Sequence, residues 1–157
     1  DSLMLARHQN LDYNFFQALI YIGKTSRVEA QNRAYVEDVI DFMELEPYRK
    51  NMVGSLAYGI QKRVEVARAL TLGPKLLLLD EPMAGMNVEE KEDMVRFIMD
   101  IKKERHITVV LVEHDLGVVM DISDKVFVFD FGELIGFGTP QTVAKDPKVI
   151  EAYIGEE

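Results

Sequence analysis

Apolar residues recur at helical spacing as far as Leu72, and beyond it they gather into short unbroken runs separated by polar, helix-patterned stretches. Leu3, Met4 and Leu5, then Phe15, Phe16, Leu19, Ile20 and Ile22, suggest helix interrupted by a polar turn between Gln9 and Asn14. Ser26 and Glu29 have the spacing of a capping box, and Val36, Val39, Ile40 and Met43 then repeat on one face. A helix is therefore predicted to open at Ser26 and to end before Pro47. Gly59 is predicted to precede a further helix, from about Ile60 to Leu72, that buries Val64, Ala67 and Leu70. Lys62, Arg63, Glu65 and Arg68 fall largely elsewhere on it, and Gly73-Pro74 stops it.

Leu76 to Leu79 does not alternate, which predicts a strand buried on both faces and central in a parallel sheet. Asn87 and Glu90 can cap the next helix, which carries Met94, Val95, Ile98 and Ile101 inward and ends near Lys102 and Lys103. Thr108 to Val112 reads as a second buried strand and Leu116 to Ile122 as a short helix. Val126 to Phe129 and Leu134 to Phe137, joined through Phe131 and Gly132, predict a hairpin at the edge of the sheet. Thr139-Pro140 and Asp146-Pro147 each place a capping residue before a first-turn proline, so two short helices close the chain. Alternating strand and helix behind an all-helical front gives an α/β fold, with a division expected between residues 1–72 and 73–157.

Composition narrows the partners. The 157 residues are 48% hydrophobic and 29% charged, the balance of an ordinary globular protein and not of a disordered one. The formal charge of −9 opposes binding to nucleic acid. No run approaches the roughly 18 apolar residues of a spanning helix, so a membrane role would be peripheral. Arg7, His8 and Asp12 break any signal-peptide pattern, and the absence of cysteine excludes disulfides and thiolate metal sites, which suits a reducing cytoplasm. The start at Asp1 is a first hint of a longer polypeptide.

The chemistry is expected at strand ends. In open parallel sheets ligands sit outside the carboxyl ends of the strands, where Leu76 to Leu79 delivers Asp80 and Glu81. One carboxylate there can hold Mg²⁺ through its water shell, and its neighbour can orient or deprotonate an attacking water. Asp-Glu-Pro can equally end a strand and cap a turn. The second strand ends in Glu113, His114 and Asp115, and adjacent strands would bring His114 close to Glu81, where an imidazole can stabilise charge in phosphoryl transfer. His8 and His106 read as solvated loop histidines. Leu56-Ala57-Tyr58-Gly59-Ile60 leads into a helix whose first N–H groups are unsatisfied, so its start can bind an anion, and Gly59 would let the backbone approach phosphate. Arg63 and Arg68 behind it read equally well as structural ion-pair partners.

These motifs together resemble the ATP-binding-cassette (ABC) ATPases. LAYGIQKRVEVARAL is similar to their signature loop and following helix, LLLLDEP to their Walker B strand, Ala84-Gly85-Met86-Asn87 to their D-loop, and His114 in LVEHD to their switch histidine. ARHQ near the start, the Tyr58-Gly59 form of the signature, EPMAGMN, EHDLGVVMDISDKVFVFDFGELIGFGTP and VIEAYIG resemble the ATP-binding subunits of branched-chain amino-acid importers. The resemblance covers nearly the whole chain and implies the carboxyl-terminal part of a P-loop NTPase core, with a mainly parallel sheet, behind a helical subdomain. It implies ATP and Mg²⁺ as cofactors, Glu81 as catalytic base, Asp80 on the magnesium side and His114 on the γ-phosphate. Ala57, Tyr58, Gly59 and Ile60 would contact ATP held by the opposite subunit, and Leu56, Ala84, Gly85, Met86 and Asn87 complete the implied nucleotide-binding set.

Implied partners are a second ATPase subunit, transmembrane permease subunits and, indirectly, a substrate-binding protein, at the cytoplasmic face of the membrane. Two residues depart from the pattern. The usual signature serine is Ala57, which removes a hydroxyl, and the usual D-loop aspartate is Asn87, which keeps a cap and loses a charge.

The phosphate cradle G-x-x-x-x-G-K-[ST] does not occur. Gly23-Lys24-Thr25 imitates its end, but Ala18 stands at the first glycine position and Leu19, Ile20, Tyr21 and Ile22 are too bulky for a nest of N–H groups. The resemblance implies that the P-loop, the adenine-stacking aromatic and the glutamine loop precede Asp1, that these residues alone do not turn over ATP, and that apolar sheet edges are left exposed, with aggregation or pairing between chains expected. Two other readings remain: a non-catalytic module supplying signature and docking surfaces to another chain, and a soluble cassette ATPase of DNA repair or translation.

Overall fold

The structure, a computed structural model, describes residues 2–8 and 22–154. The predicted helix around Phe15 to Ile20 lies outside them. Two compact units follow one another, Asp1–Leu111 and Val112–Glu157.

In the first unit α1 (Ser2–His8) packs on α2 (Ile22–Phe42) and α3 (Tyr58–Leu70). Helix α2 is already formed at Ile22, so Ser26 is an interior residue and not the predicted cap. An S-x-x-E pair caps only where the chain before it leaves the helix, and here residues 22–25 continue it. Val36, Val39 and Met43 are buried as the periodicity requires, with Ile40 half-buried. The helix closes on a left-handed residue, Glu44 at φ 52°, with the Leu45 N–H donating to Ile40 O at 2.9 Å. Two short 3₁₀ turns, Glu46–Tyr48 and Val53–Ser55, lead into α3.

Helix α3 starts two residues before the prediction, which places Gly59 inside its first turn. Arg63, expected to face away, is 8% exposed: its Nη2 donates to Met43 O at 2.7 Å and Glu44 O at 2.8 Å, and its guanidinium lies 4.6 Å from the Phe97 ring centre. Carbonyls orphaned at the end of α2 thus explain why a charged residue is drawn inward. The end of α3 is served similarly. Arg7 Nη1 donates to Thr71 O at 2.9 Å and the Tyr35 hydroxyl to Leu70 O at 3.1 Å. Gly73, at φ 66°, makes the turn that follows.

Strand β1 (Leu76–Asp80), helix α4 (Val88–Glu104) and strand β2 (Thr108–Val112) form a strand–helix–strand unit, and the two strands pair. The Thr108 N–H donates to Lys75 O at 3.1 Å, so both strands start side by side and run in the same direction. Neither is buried on both faces. Leu77 and Leu79 face the core while Leu76, Leu78 and Val110 are exposed, because nothing among the described residues covers that face. On α4, Met94, Phe97, Ile98 and Ile101 are buried.

The second unit holds α5 (Leu116–Ile122), the hairpin β3 (Val126–Asp130) and β4 (Glu133–Gly138), α6 (Pro140–Val143) and α7 (Pro147–Ile154). Asp130 pairs with Glu133, which leaves Phe131 and Gly132 as a two-residue turn, both at positive φ (44° and 85°) as the twist of a tight hairpin demands. The hairpin pairs with itself as a sheet of its own. Val126, Val128, Val143 and Val149 form its core, with Gly136 admitting Val149 so closely that a β-carbon there would lie 2.7 Å from it.

Candidate functional site

The carboxyl end of β1 delivers Asp80 and Glu81 to the surface, both exposed. Glu81 adopts φ 44°, a left-handed conformation unusual for a residue with a side chain and found where a local geometry is imposed on the backbone. The chain then turns through Ala84, whose N–H donates to Glu81 O at 3.2 Å, and Gly85 at φ 74°. It arrives at Asn87, the N-cap of α4, where the predicted capping box is complete. The Glu90 N–H donates to Asn87 Oδ1 at 2.9 Å and the Asn87 N–H to Glu90 Oε2 at 3.1 Å.

This turn meets the start of α3. The N-cap of α3 is Ala57, whose methyl group accepts nothing. The Gly59 N–H instead donates to Glu90 Oε1 at 3.3 Å. A β-carbon on Gly59 would stand 2.6 Å from that oxygen, so any larger residue there would displace the Glu90 side chain. The Tyr58 ring lies against Gly85, where a β-carbon would come within 3.3 Å of it. Lys62 places its ammonium 5.8 Å from the same ring centre, and the hydrogen bond to Glu65 raises its pKa above the usual lysine value against the lowering effect of burial. Leu56 is buried beneath the loop, and Gln61 Nε2 donates to its carbonyl at 2.8 Å.

The first unit therefore brings Tyr58 and Gly59 together with Gly85 and Asn87, the last through Glu90. Sequence reasoning assigned Glu90 only a cap on its own helix. Its reach to Gly59 spans 31 residues, and no local pattern signals it. His114 belongs to the second unit, where it is exposed and directly precedes Asp115, the N-cap of α5. Gly23, Lys24 and Thr25 are helical backbone within α2, not a phosphate-cradling loop. A cavity of about 800 Å³ lies in the helical front, lined by Leu3, Met4, Ile40, Met52, Val53 and Leu56 among others, and includes neither Asp80 nor Glu81.

Asp80 and Glu81 offer adjacent exposed carboxylates, the oxygen donors that a hard cation such as Mg²⁺ takes. The Gly59 N–H, open enough to admit a carboxylate oxygen, suits an anionic ligand.

A strand-end carboxylate pair thus leads into a tight turn that meets a glycine-bearing helix start, and the α/β architecture that carries them is that of the P-loop NTPase class. The family profile described as "ABC transporter" matches residues 4–84, and this chain belongs to that family. A second profile, "Branched-chain amino acid ATP-binding cassette transporter", matches residues 133–157. Similar proteins include the high-affinity branched-chain amino acid transport ATP-binding protein BraF of Pseudomonas aeruginosa, 36% identical over 99% of this chain and 61% of the relative. LivG of Escherichia coli K12, described in the same words, is 33% identical with the same coverage. The chain thus spans 61% of the length of these curated relatives. Among solved structures, the ADP conformation of MJ1267, an ATP-binding cassette of an ABC transporter, superposes with a TM-score of 0.77 at 28% identity, covering 98% of this chain and 61% of that one. The dimeric post-hydrolysis state of the cassette MJ0796, bound to ADP and Pi, gives 0.60 at 26% identity, covering 69% and 47%. The fold is accordingly α/β, of the P-loop NTPase kind.

Proposed function

We propose that this chain is part of the ATP-binding and ATP-hydrolysing subunit of an ABC importer for branched-chain amino acids. The observation that carries the reading is the double match: an ABC transporter profile over residues 4–84 and the branched-chain amino-acid profile over residues 133–157 of one chain. Glu81 serves as the general base toward the attacking water, Asp80 holds the magnesium side, and His114 contacts the γ-phosphate. Bound magnesium would neutralise phosphate charge. Leu56, Ala57, Tyr58, Gly59 and Ile60, with Ala84, Gly85, Met86 and Asn87, face a nucleotide held by a second ATPase subunit. Because Ala57 has no hydroxyl, backbone N–H groups carry the phosphate contact at the start of α3.

Residues 1–72 are the helical part that docks on membrane-spanning permease subunits, and residues 73–157 the carboxyl-terminal part of the catalytic core. The cavity in the helical front and the exposed Met52 on its rim support a docking role. No helix among the described residues is long and apolar enough to cross a membrane, which is compatible with a peripheral place on the cytoplasmic face. These 157 residues contain no G-x-x-x-x-G-K-[ST] and by themselves do not hydrolyse ATP. The test is uptake of labelled leucine, isoleucine and valine by cells whose own importer is deleted, complemented with the full reading frame and its neighbouring permease genes. Uptake lost with Glu81→Gln supports the reading, and uptake indifferent to that substitution rejects it.

A further inference from the structure

We propose that Glu90 is a positioning residue of the nucleotide site: its carboxylate caps α3 at Gly59 and gives up that N–H when the γ-phosphate of a nucleotide takes it. The proposal rests on the functional reading above, in which the start of α3 faces phosphate.

An N-cap side chain ordinarily accepts from the N–H of the second or third helical residue. With Ala57 as N-cap, the second residue of α3 is Gly59, and its N–H is one of the two donors that a serine at 57 could serve. Glu90 Oε1, from another helix, accepts from it at 3.3 Å. A negative group is also favoured there by the partial positive charge at a helix start. The carboxylate therefore supplies both the hydrogen bond and the charge that Ala57 cannot.

The same contact stands in the way of a phosphate. The space that a β-carbon on Gly59 would fill is occupied by Glu90, with Oε1 at 2.6 Å, Cδ at 2.7 Å and Cγ at 2.9 Å from that point. An oxyanion approaching the Gly59 N–H from this side meets a like charge and an occupied donor, so Glu90 has to turn aside. Its other oxygen accepts from the Asn87 N–H at 3.1 Å, which ties any such turn to the start of α4. Glu90 thereby couples occupancy at Gly59 to the turn that carries Ala84 to Asn87.

Glu90→Gln in the protein expressed from its full reading frame separates charge from shape. Glutamine keeps the capping-box pattern on α4, so the fold is retained. With a weaker competitor at Gly59, the ATP concentration for half-maximal turnover is expected to fall roughly two- to fivefold, the range of a single charge at a helix start. kcat is expected to stay within about twofold, because the reacting groups are untouched. ADP, which has no γ-phosphate, should bind as before, a distinction that a purely structural role would not produce. A half-saturation that is unchanged or raised, or equal shifts for ATP and ADP, overturns the proposal while leaving the functional reading intact. A wild-type protein that neither binds nor hydrolyses ATP overturns both.

Discussion

Gly59 and Glu90 stand 31 residues apart in the chain and share a hydrogen bond of 3.3 Å, the N–H of one helix start donating to the carboxylate of another. Everything that the chain places at the start of α3 is thereby linked to the turn after Asp80 and Glu81.

Gly59→Ala tests that link without touching the acidic residues. Alanine is favoured over glycine in a helix by about 1 kcal/mol, while the lost Gly59–Glu90 bond costs about 1 kcal/mol, so stability should change little. Nucleotide-dependent activity should nevertheless fall, since the new methyl group closes the approach to the N–H. Urea unfolding paired with an ATP titration separates the two effects. A variant with unchanged midpoint and unchanged ATP response would show that the approach to Gly59 is not used.

Asn87→Ala removes one half of the capping box and should destabilise the chain by about 1 kcal/mol. Asn87→Asp keeps the acceptor and adds charge at a helix start, so it should hold stability within about 0.5 kcal/mol or improve it. Chemical denaturation of the pair, at low and high salt, checks this; equal losses in both would mean that the Asn87 side chain is not the cap.

Arg63→Ala leaves Met43 O and Glu44 O without their donor and strips a guanidinium from Phe97, and should cost about 2–4 kcal/mol. Arg63→Lys should recover less than half, because an ammonium cannot stack as a planar group does. Full recovery by lysine in denaturant titrations would argue that charge and hydrogen bonding alone, and not the planar stack on Phe97, hold this side chain at the end of α2.

Most elements were legible in the sequence because their signals are local. The Asn87–Glu90 spacing, the Phe131-Gly132 turn and the inward face of α4 each lie within a few residues of one another. Two features escaped because the partner lies far away in sequence, and a third, Ser26, because the residues just before it already continue the helix. Arg63 looks like a surface charge until the carbonyls of Met43 and Glu44 are set beside it. Ser26 looks like a cap until the helix is seen to run through it. Glu90 looks like half of a capping box until Gly59 arrives against its other oxygen. The strands were misjudged in burial for a different reason: an unalternating run such as Leu76 to Leu79 implies cover on both faces, and here Leu78 stays 69% exposed. For the site itself, the acidic pair and the glycine loop could be named from pattern alone, whereas their connection through the Tyr58–Gly85 and Gly59–Glu90 contacts is a property of the fold.

The most direct test of the central claim is magnesium-dependent ATP turnover by the protein expressed from its full reading frame, with and without Glu81→Gln, beside the 157 residues alone. The account predicts turnover by the full protein, a loss of at least about a hundredfold in Glu81→Gln with ATP still bound, and none by the 157 residues. Turnover that survives Glu81→Gln, or that the 157 residues sustain by themselves, would contradict it.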